Sequence, residues 1–459
     1  MPDHTQTRGI EGNFVQWGDA EYESTRASMV WNGLKPERYP DVILRAASER
    51  DVPEAIALAR SRGLRIAVRA GGHSWIGSPV RDGGMLIDLS ALRRCAIDVS
   101  SATATAQPAI TGHELASDLA RHSLAFPTGH CGSVALGGYL LSGGLGWNSG
   151  VLGPACASVR EIEAVTANGE VVRCNEDENP DLFWAARGAG PGFFAVVTSF
   201  RLGLYPLPEA IMTTTYAFPL ADTERVSNWA TQTARELDPT VELVLVLGTA
   251  APGMTTQSPK PKVITVAATA YADSGDTAAQ SLEPLNNCPF AERSLSRALN
   301  EPTTFDDLHA NSDAVLPREY RYATDTVWSE TDLTTLLSKL TGAVAKAPSD
   351  KSHVLAPVSS VSRDRNLLRN MAFSLLGDSY VVPYAVWADP AEDDLNIRWL
   401  REAVRTVEPL GTGHYVGEAD LTADASRAER SFTPDDWQRL QTVRGQYDPE
   451  GVFHSYLTP

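Results

Sequence analysis

The chain has 459 residues, of which 43% are hydrophobic and 21% charged, a balance typical of soluble globular proteins. This length predicts about two or three domains, because a single hydrophobic core stops growing well before it. The formal net charge of -18 argues against nucleic acid or an anionic membrane surface as a partner.

The amino terminus and the cysteines bear on location and on metal binding. Residues 1–10 lack a basic start followed by an apolar run, so no secretory signal is expected. No stretch of the sequence is long and apolar enough to span a membrane. The five cysteines contain no C-x-x-C pair, which fits neither a disulfide framework nor a zinc site. We therefore expect a cytoplasmic protein without a bound metal.

The first predicted elements alternate between strands and helices, which indicates an α/β start. Strands are predicted at residues 41–45, 64–68, 85–89 and 102–106, and helices at residues 52–60 and 113–123. The helix at 52–60 has the clearest signals, since Glu54 lies three residues after Asp51 as in a capping box and Gly63 supplies a stop. Ser48 and Asp51 are both candidate N-caps.

A loop at the end of the second strand is the first candidate site. It reads Arg69-Ala70-Gly71-Gly72-His73-Ser74-Trp75. Two adjacent residues without Cβ let backbone N–H groups approach an anion closely. Considered alone, the loop favours the simpler interpretation of a tight turn beside a solvated histidine, since short glycine motifs often occur without a ligand.

A second glycine cluster runs from Gly132 to Gly146 and directly follows Cys131. Its glycine density predicts that the segment forms no regular helix. A flexible linker is the alternative, but Leu136, Tyr139 and other large apolar residues between the glycines are unlike a solvated linker. The pattern predicts a buried segment that wraps a ligand.

The rest of the chain predicts a hairpin, a helix and several strands. The hairpin turns at Asn168-Gly169; a helix is predicted at 181–188 and a strand at 193–202, and residues 205–208 look like a domain boundary. Further strands are predicted at 241–247, 263–268 and 379–387, and an amphipathic helix at 437–444. Pro383 predicts that its strand is an edge or bulged strand.

Together, the two glycine clusters and the ending Tyr447-Asp-Pro-Glu-Gly-Val-Phe453 resemble the flavoproteins of the vanillyl-alcohol oxidase and p-cresol methylhydroxylase superfamily. The berberine bridge enzyme-like oxidases are the branch they resemble most. The resemblance implies an α+β fold with a two-subdomain FAD-binding domain of the p-cresol methylhydroxylase type at residues 1–205. It also implies a substrate domain with an antiparallel sheet flanked by helices at 206–410, and a segment at 411–459 that returns to the FAD domain.

The resemblance further implies covalently bound FAD. In the family, the histidine of the first loop bonds to the flavin 8α-methyl group, a role that falls on His73, and Cys131 resembles the 6-S-cysteinyl attachment. The alternatives are a buried imidazole and a small buried thiol. The remaining cofactor contacts implied are Arg69, Gly71, Gly72, Ser74, Gly77, Gly132, Ser133, Gly137, Gly138, Gly143, Gly144, Val197 and Tyr447.

Tyr415 is the first candidate for the catalytic base, because the family's C-terminal loop carries a tyrosine and an aspartate that are retained here as Tyr415 and Asp420. The rest of that loop departs from the family pattern, which offers Glu418 or His414 as substitutes. Tyr139 stands where a histidine is common and is a second catalytic candidate. Phenols have pKa values near 10, so either tyrosine would need a neighbour that stabilises phenolate, and aromatic packing is the alternative for each.

The implied reaction is hydride transfer from a small-molecule alcohol, sugar or secondary metabolite to flavin N5, with dioxygen reoxidising the flavin to give hydrogen peroxide. An oxidative cyclase or dehydrogenase of natural-product tailoring is the second interpretation. A non-catalytic flavin-binding protein is a third, from another class.

Overall fold

The computed structural model describes residues 9–251, 254, 260–358 and 365–457. Its strands up to residue 206 are β1 (Asn13–Gln16), β2 (Val42–Arg45), β3 (Ile66–Arg69), β4 (Met85–Asp88), β5 (Cys95–Asp98), β6 (Thr103–Ala106), β7 (Leu124–Ala125), β8 (Val159–Val165), β9 (Val171–Cys174), β10 (Val196–Gly203) and β11 (Tyr205–Pro206). The helices of this part are α1 (Tyr22–Ser28), α2 (Asp51–Ser61), α3 (Gly112–Ala120), α4 (Leu136–Leu141), α5 (Ser149–Leu152) and α6 (Pro180–Ala186).

The later strands are β12 (Ala210–Pro219), β13 (Val241–Thr249), β14 (Lys262–Ala272), β15 (Ser296–Thr303), β16 (Arg321–Thr324), β17 (Val327–Ser329), β18 (His353–Pro357) and β19 (Ser379–Trp387). The later helices are α7 (Thr223–Thr233), α8 (Gly275–Asn286), α9 (Phe305–Val315), α10 (Leu333–Ala345), α11 (Asp393–Val407) and α12 (Pro434–Tyr447). Within the described ranges, no helix combines the length and apolar character needed to cross a membrane.

The strands form open sheets, one with parallel pairs and the others antiparallel. The first sheet has the order β1-β2-β4-β3 and is parallel from β2 to β3, and the second has the antiparallel order β5-β6-β10-β8-β9. The large sheet is antiparallel in the order β15-β12-β14-β13-β18-β19-β16, with β17 also pairing β19, and α7, α8, α10 and α11 pack against it. The mixed α+β class and the helix-flanked antiparallel sheet are confirmed; the boundaries at residues 205 and 410 stay predictions.

The prediction for the glycine-rich segment is wrong. The glycine-rich segment does contain a regular helix, α4, which includes Gly137 and Gly138. The backbone N–H of Leu136 donates to Ile110 O at 3.0 Å and that of Gly137 to Pro108 O at 2.8 Å. Tertiary packing of the apolar helix face therefore outweighs the low helix propensity of glycine.

Pro383 lies in an interior strand rather than an edge strand, because β19 pairs β18 on one side and β16 and β17 on the other. The pairing with β16 ends at Tyr384 and the pairing with β17 begins at Val381. The missing N–H of Pro383 faces this interruption, where its carbonyl accepts a hydrogen bond from Thr324 Oγ1 at 2.9 Å. A proline costs no ladder hydrogen bond at such a break.

Helix α2 confirms the predicted helix at 52–60 but not its cap. Asp51 is the first helical residue, and its carboxylate accepts hydrogen bonds from the backbone N–H groups of Glu11 at 2.8 Å and Ala47 at 2.7 Å. Asp51 therefore secures the segments that precede the helix.

Buried side chains form two large cores and a smaller aromatic cluster. The first core combines residues of the first two sheets with residues between 416 and 456, and the second lies between the large sheet and its helices. The aromatic cluster contains Tyr322, Tyr380, Tyr384 and Tyr415, with Trp31 and Trp75 packed against it. It joins the two halves of the molecule and is where the candidate site lies.

The end of the chain covers the free edge of β3. Ile66 N donates to Val452 O at 2.7 Å, and His454 N donates to Ile66 O at 2.8 Å. The guanidinium of Arg81 binds the next carbonyls, donating to Ser455 O at 2.5 Å and to Tyr456 O at 3.2 Å. The C-terminal segment thus extends the sheet whose strand leads into the His73 loop.

We expect Gly188→Ala to destabilise the protein strongly. Gly188 has φ +136°, and a Cβ there would lie 1.9 Å from Phe373 N. The strained backbone alone should cost about 1–3 kcal/mol, and the clash with main chain adds to this. Thermal unfolding followed by circular dichroism measures the effect.

Gly342→Ala is the matched control, since Gly342 lies in α10 and a Cβ there meets nothing within 4 Å. It should stabilise the protein by roughly 0.5–1 kcal/mol. A Gly188→Ala protein that melts at or above the wild-type temperature would contradict the packing described here.

Candidate active site

Arg69 anchors the His73 loop, residues 69–75, to neighbouring segments. Its guanidinium forms a 2.9 Å ion pair with Asp88 and donates to Met29 O at 3.3 Å and to Gly71 O at 3.1 Å. Gly72 has φ +74°, and a Cβ there would lie 2.4 Å from Met29 O. Arg69 and Gly72 therefore set the path of the loop, which is a supporting role.

Backbone donors line this loop. Gly71, Gly72, His73 and Ser74 donate no backbone hydrogen bond to any other described residue. The Ser74 hydroxyl contacts Ser78 Oγ at 2.6 Å, which closes the far end of the loop. A row of free N–H groups is suited to an anion such as a pyrophosphate.

The two glycine clusters touch each other. A Cβ on Gly71 would lie 2.6 Å from Ala135 Cβ, and one on Gly137 would lie 2.9 Å from Ala70 Cβ. Gly138, by contrast, is exposed, and a Cβ there would meet nothing within 4 Å among the described residues. The free donors and this open space beside them fit the FAD that the resemblance implies.

Ser133 connects the two proposed attachment residues. Its hydroxyl lies 2.9 Å from His73 Nε2 and 3.3 Å from Cys131 Sγ. Asp313, from α9, also approaches Cys131, with Oδ1 at 3.7 Å from Sγ. The structure therefore brings His73 and Cys131 to a common point from loops that lie far apart in sequence.

Both residues are held in their neutral forms. Burial, together with the positive charges of Arg69 and Arg318, lowers the pKa of His73 to about 3. Burial raises the pKa of the Cys131 thiol, and Asp313 raises it further, although the hydrogen bond with Ser133 opposes this shift. A neutral imidazole is the nucleophilic form of histidine, whereas the thiol must lose its proton before it can react.

Aromatic rings line the wall next to His73. Trp31 stacks on the imidazole with ring centroids 4.4 Å apart. Trp75 contacts Tyr322 at 5.4 Å and Tyr384 at 5.7 Å between centroids. Rings from the first loops thus meet rings from the large sheet and form one continuous aromatic wall.

Glu418 lies within this aromatic wall. Its carboxylate accepts hydrogen bonds from Tyr384 Oη at 2.9 Å, Tyr380 Oη at 3.2 Å and Trp75 Nε1 at 3.3 Å. Burial raises the pKa of Glu418, while the three donors act in the opposite direction. A carboxyl group with a raised pKa next to an aromatic pocket is typical of a general acid or base.

Tyr415 lies beside Glu418 and faces the second glycine cluster. Its hydroxyl oxygen accepts a hydrogen bond from Gly144 N at 3.1 Å, and its own proton has no acceptor among the described residues. Burial and the charge of Glu418 raise the pKa of Tyr415. It is therefore a hydrogen-bond donor at neutral pH.

His414, the other substitute offered by the sequence, has a structural environment. Its Nδ1 lies 2.6 Å from Thr326 O and 3.5 Å from Asp325 Oδ1, and Arg427 pairs with the same aspartate at 3.0 Å. This buried network fixes the start of the loop that carries Tyr415 and Glu418.

Tyr139 packs under the glycine cluster. Its hydroxyl donates to Pro127 O at 2.8 Å. A Cβ on Gly146 would lie 2.2 Å from the Tyr139 hydroxyl oxygen. A Cβ on Gly144 would lie 2.9 Å from the ring. The glycines at these positions therefore make room for a buried ring, whose pKa burial raises well above 10.

Other predicted cofactor contacts lie apart from His73 and Cys131. Val197 is buried in β10 opposite Ala164, and Tyr447 donates from the end of α12 to Asn179 Oδ1 at 3.4 Å. Gly77 and Gly143 have φ values of +60° and +110° and shape the two loops. None of these four contacts His73 or Cys131 through a described hydrogen bond or ring contact.

Sequence reasoning missed Trp31, Trp75 and Asp313. The tryptophans look like ordinary core residues, and Asp313 lies in a helix that the sequence did not single out. The position of Trp75 directly after the glycine loop was the available signal, since a large aromatic side chain there has to pack against a neighbouring part of the site.

Comparisons with known proteins agree with this geometry. A sequence model described as an FAD binding domain matches residues 40–175. The FAD-linked oxidoreductase ptmO of Penicillium ochrochloron is 32% identical over 94% of this chain and 94% of its own length.

Solved structures share the fold. The crystal structure of 6-hydroxy-D-nicotine oxidase from Arthrobacter nicotinovorans superposes with a TM-score of 0.82 at 23% identity, covering 98% of both chains. Berberine bridge enzyme from Eschscholzia californica gives a TM-score of 0.81 at 20% identity, covering 97% of this chain and 96% of its own. The predicted resemblance and fold are confirmed. Since the similarity to ptmO extends over nearly all of both sequences, the protein belongs to the family of FAD-linked oxidoreductases and is an oxidoreductase that binds FAD.

Proposed function

We propose that the protein is an oxidase whose FAD is held covalently by His73 and Cys131, and that it oxidises a C–H bond of a small molecule at the expense of dioxygen. The observation that carries the covalent assignment is the Ser133 hydroxyl, which lies within 3.3 Å of both His73 Nε2 and Cys131 Sγ. Two nucleophiles this close can serve one flavin ring.

The residues of the two glycine clusters would hold the cofactor. The free N–H groups of Gly71 to Ser74 would bind the pyrophosphate, and Gly138 leaves open space beside them. When bound, FAD supplies a hydride acceptor, with dioxygen as the final oxidant. We propose residues 1–205 as the FAD-binding domain, 206–410 as the substrate domain and 411–459 as the returning segment. The other predicted contacts, including Val197 and Tyr447, remain part of this proposal.

We assign the proton transfer to Glu418. Its carboxylate is the group that can take a proton from a substrate O–H or N–H, because burial raises its pKa from the ordinary carboxyl value. Tyr415 would orient the substrate by donating its free O–H proton. Tyr139, whose proton is already given to Pro127 O, would support the loop.

The aromatic wall supports a small organic substrate, and the cysteines support a location. The wall formed by Trp31, Trp75 and Tyr384 is aromatic, with neighbouring rings packed edge to face, which suits an alcohol, sugar or secondary metabolite with ring faces. The five cysteines are free, which supports a location in the reducing cytoplasm.

A reoxidation experiment tests the oxidase without knowledge of the substrate. The purified holoprotein is reduced anaerobically by light with EDTA as the electron donor, air is admitted, and flavin absorbance and hydrogen peroxide are followed together. An oxidase should reoxidise rapidly and release one peroxide per flavin.

Slow reoxidation without peroxide would favour a dehydrogenase that uses another acceptor, since structures described as a glucose oxidase and as a reticuline dehydrogenase share this fold. Anaerobic bleaching by alcohols, sugars, phenols and amines then separates an enzyme from a non-catalytic flavin carrier. Products closed into new rings would identify a cyclase.

A further inference from the structure

A cluster of metal-ligating side chains lies outside the residues assigned to catalysis. His113, on α3, meets Asp306 and His309, on α9, so that one ligand atom from each residue lies within 4.8 Å of the others. His113 Nδ1 is 3.5 Å from His309 Nδ1 and 3.7 Å from Asp306 Oδ1. The sequence predicted no metal site, because the three residues come from two separate helices.

We propose that His113, Asp306 and His309 bind a divalent transition-metal ion of the zinc class. Imidazole nitrogen and carboxylate oxygen are ligands that Zn²⁺ accepts, at about 2.0–2.2 Å. Two such ligands around a tetrahedral ion lie roughly 3.3–3.5 Å apart. The two separations from His113 Nδ1 are close to this value, and the distance between Asp306 and His309, which is within 4.8 Å, can shorten by rotation of the exposed Asp306 side chain.

The backbone is shaped to let the two histidines meet. Gly132 lies between them: a Cβ there would be 3.0 Å from His113 Cβ and 3.3 Å from His309 Cγ. His113 N also donates to Gly132 O at 2.9 Å, which fixes the start of α3 against this loop. Any larger residue at position 132 would push the histidines apart.

Burial and charge also suit a cation. His309 is 3% exposed, whereas the His113 and Asp306 side chains are 51% and 80% exposed, so an ion could enter from solvent and keep a water as its fourth ligand. Asp313, one turn further along α9, adds negative charge near His309. One fixed ligand and two accessible ones form a site open on one side.

A hydrogen bond from Trp147 opposes binding of the ion to His309. Its indole N–H donates to His309 Nε2 at 3.4 Å, so the proton of the neutral imidazole resides on Nδ1. A metal at Nδ1 moves that proton to Nε2, so the long hydrogen bond from Trp147 is lost and the hydrogen bond of His309 with the Gly129 backbone has to change as well. The step is a tautomer change without net proton release from His309.

A bound ion would join two parts of the chain that the sequence keeps apart. Helix α3 lies within residues 40–175, which match the FAD binding domain, and α9 lies beyond them. Asp313 of α9 contacts Cys131. The ion would therefore hold α9 against the loop that carries this thiol.

The test uses untagged holoprotein, treated with EDTA and then dialysed. Isothermal titration with Zn²⁺ should show one site per chain in the wild type, and Zn²⁺ should raise its Tm. His113→Ala and Asp306→Asn change exposed side chains and should weaken binding by at least the roughly 10–100-fold that loss of an outer-shell partner costs. His122→Ala, an exposed histidine just after α3, is the matched control and should bind as the wild type does.

Trp147→Phe removes the competing donor and should tighten binding. The proposal is overturned if the wild type takes up no Zn²⁺, or if His113→Ala and Asp306→Asn bind as the wild type does. Weaker binding by a folded Trp147→Phe protein would overturn the assignment of His309 Nδ1 as the ligand atom.

Discussion

Replacing Glu418 with glutamine should lower kcat by about 100- to 10,000-fold, the range expected when a general base is lost. Glutamine keeps the size of the side chain and can still accept hydrogen bonds from Tyr380 and Tyr384, but it cannot take a proton. Steady-state kinetics and flavin content measured on the same preparation separate loss of the base from loss of the cofactor. A variant with kcat near the wild-type value would exclude Glu418 as the base.

The pH profile gives a second measurement of the same group. The base acts when ionised, so activity should rise with pH through the pKa of Glu418, which burial holds above its ordinary value of 4.5. Tyr384→Phe removes a donor to the carboxylate, raises that pKa, and should move the acid limb of kcat/KM to higher pH. An acid limb that stays in place would show that another group is titrating.

The free energy of unfolding should depend on pH in the opposite direction to activity, because the ionised form of Glu418 destabilises the folded chain. Because the pKa is higher in the folded chain than in the unfolded chain, the stability contributed by this carboxyl group is present below pH 4.5 and is lost as pH rises through the folded pKa. Glu418→Gln has no such loss. The Tm of this variant, relative to the wild type, should therefore increase with pH.

Acid precipitation of His73→Ala, Cys131→Ala and the double variant should reveal how many bonds hold the flavin. If both residues are attached, each single variant should keep nearly all flavin in the pellet with an altered absorbance spectrum, and the double variant should release nearly all of it. The reason is that the two residues meet at Ser133 and can reach the same ring independently.

His122→Ala, a variant in an exposed histidine, is the control for loading and should match the wild type. Complete release from His73→Ala alone would leave a single link through that residue. Free FAD in the wild-type supernatant would refute covalent attachment altogether.

Local sequence signals predicted the elements that local contacts determine. The Asn168-Gly169 signal does mark the turn that joins β8 to β9, with Val165 opposite Val171. Thr166 N donates to Glu170 O at 3.0 Å, so the loop has three residues and ends at Gly169, whose φ of +85° a glycine adopts readily. Successive side chains of β19 point to opposite faces of the sheet, as the strand period requires. Tyr380 and Tyr384 face the aromatic cluster, and Trp387 faces the second core.

Long-range contacts account for what the sequence did not reveal. Helix α4 forms among glycines because Ile110 O and Pro108 O receive its first N–H groups. Pro383 fits an interior strand because its neighbours leave a break opposite it. Neither condition is visible in the residues nearby.

The residues of the candidate site also separate into those that short sequence motifs reveal and those that only long-range contacts bring in. The motifs around His73 and Cys131 were readable because each is a short run with a characteristic order. Asp313 and Trp31 belong to no such run, and their importance arises only when α9 and the segment after α1 fold onto the loops. Glu418 was one of several alternatives until its three donors distinguished it from His414.

The covered edge of β3 has a consequence for the timing of biosynthesis. Ile66 leaves the ribosome long before Val452 and His454, which pair with it, and before Tyr415 and Glu418, which complete the aromatic wall. A nascent chain therefore carries an open sheet edge next to its His73 loop until residues 452–454 have left the ribosome. Closure of the sheet edge must therefore follow synthesis of this segment, and a chain that stops a few residues short of Val452 would leave the loop on an unfinished sheet.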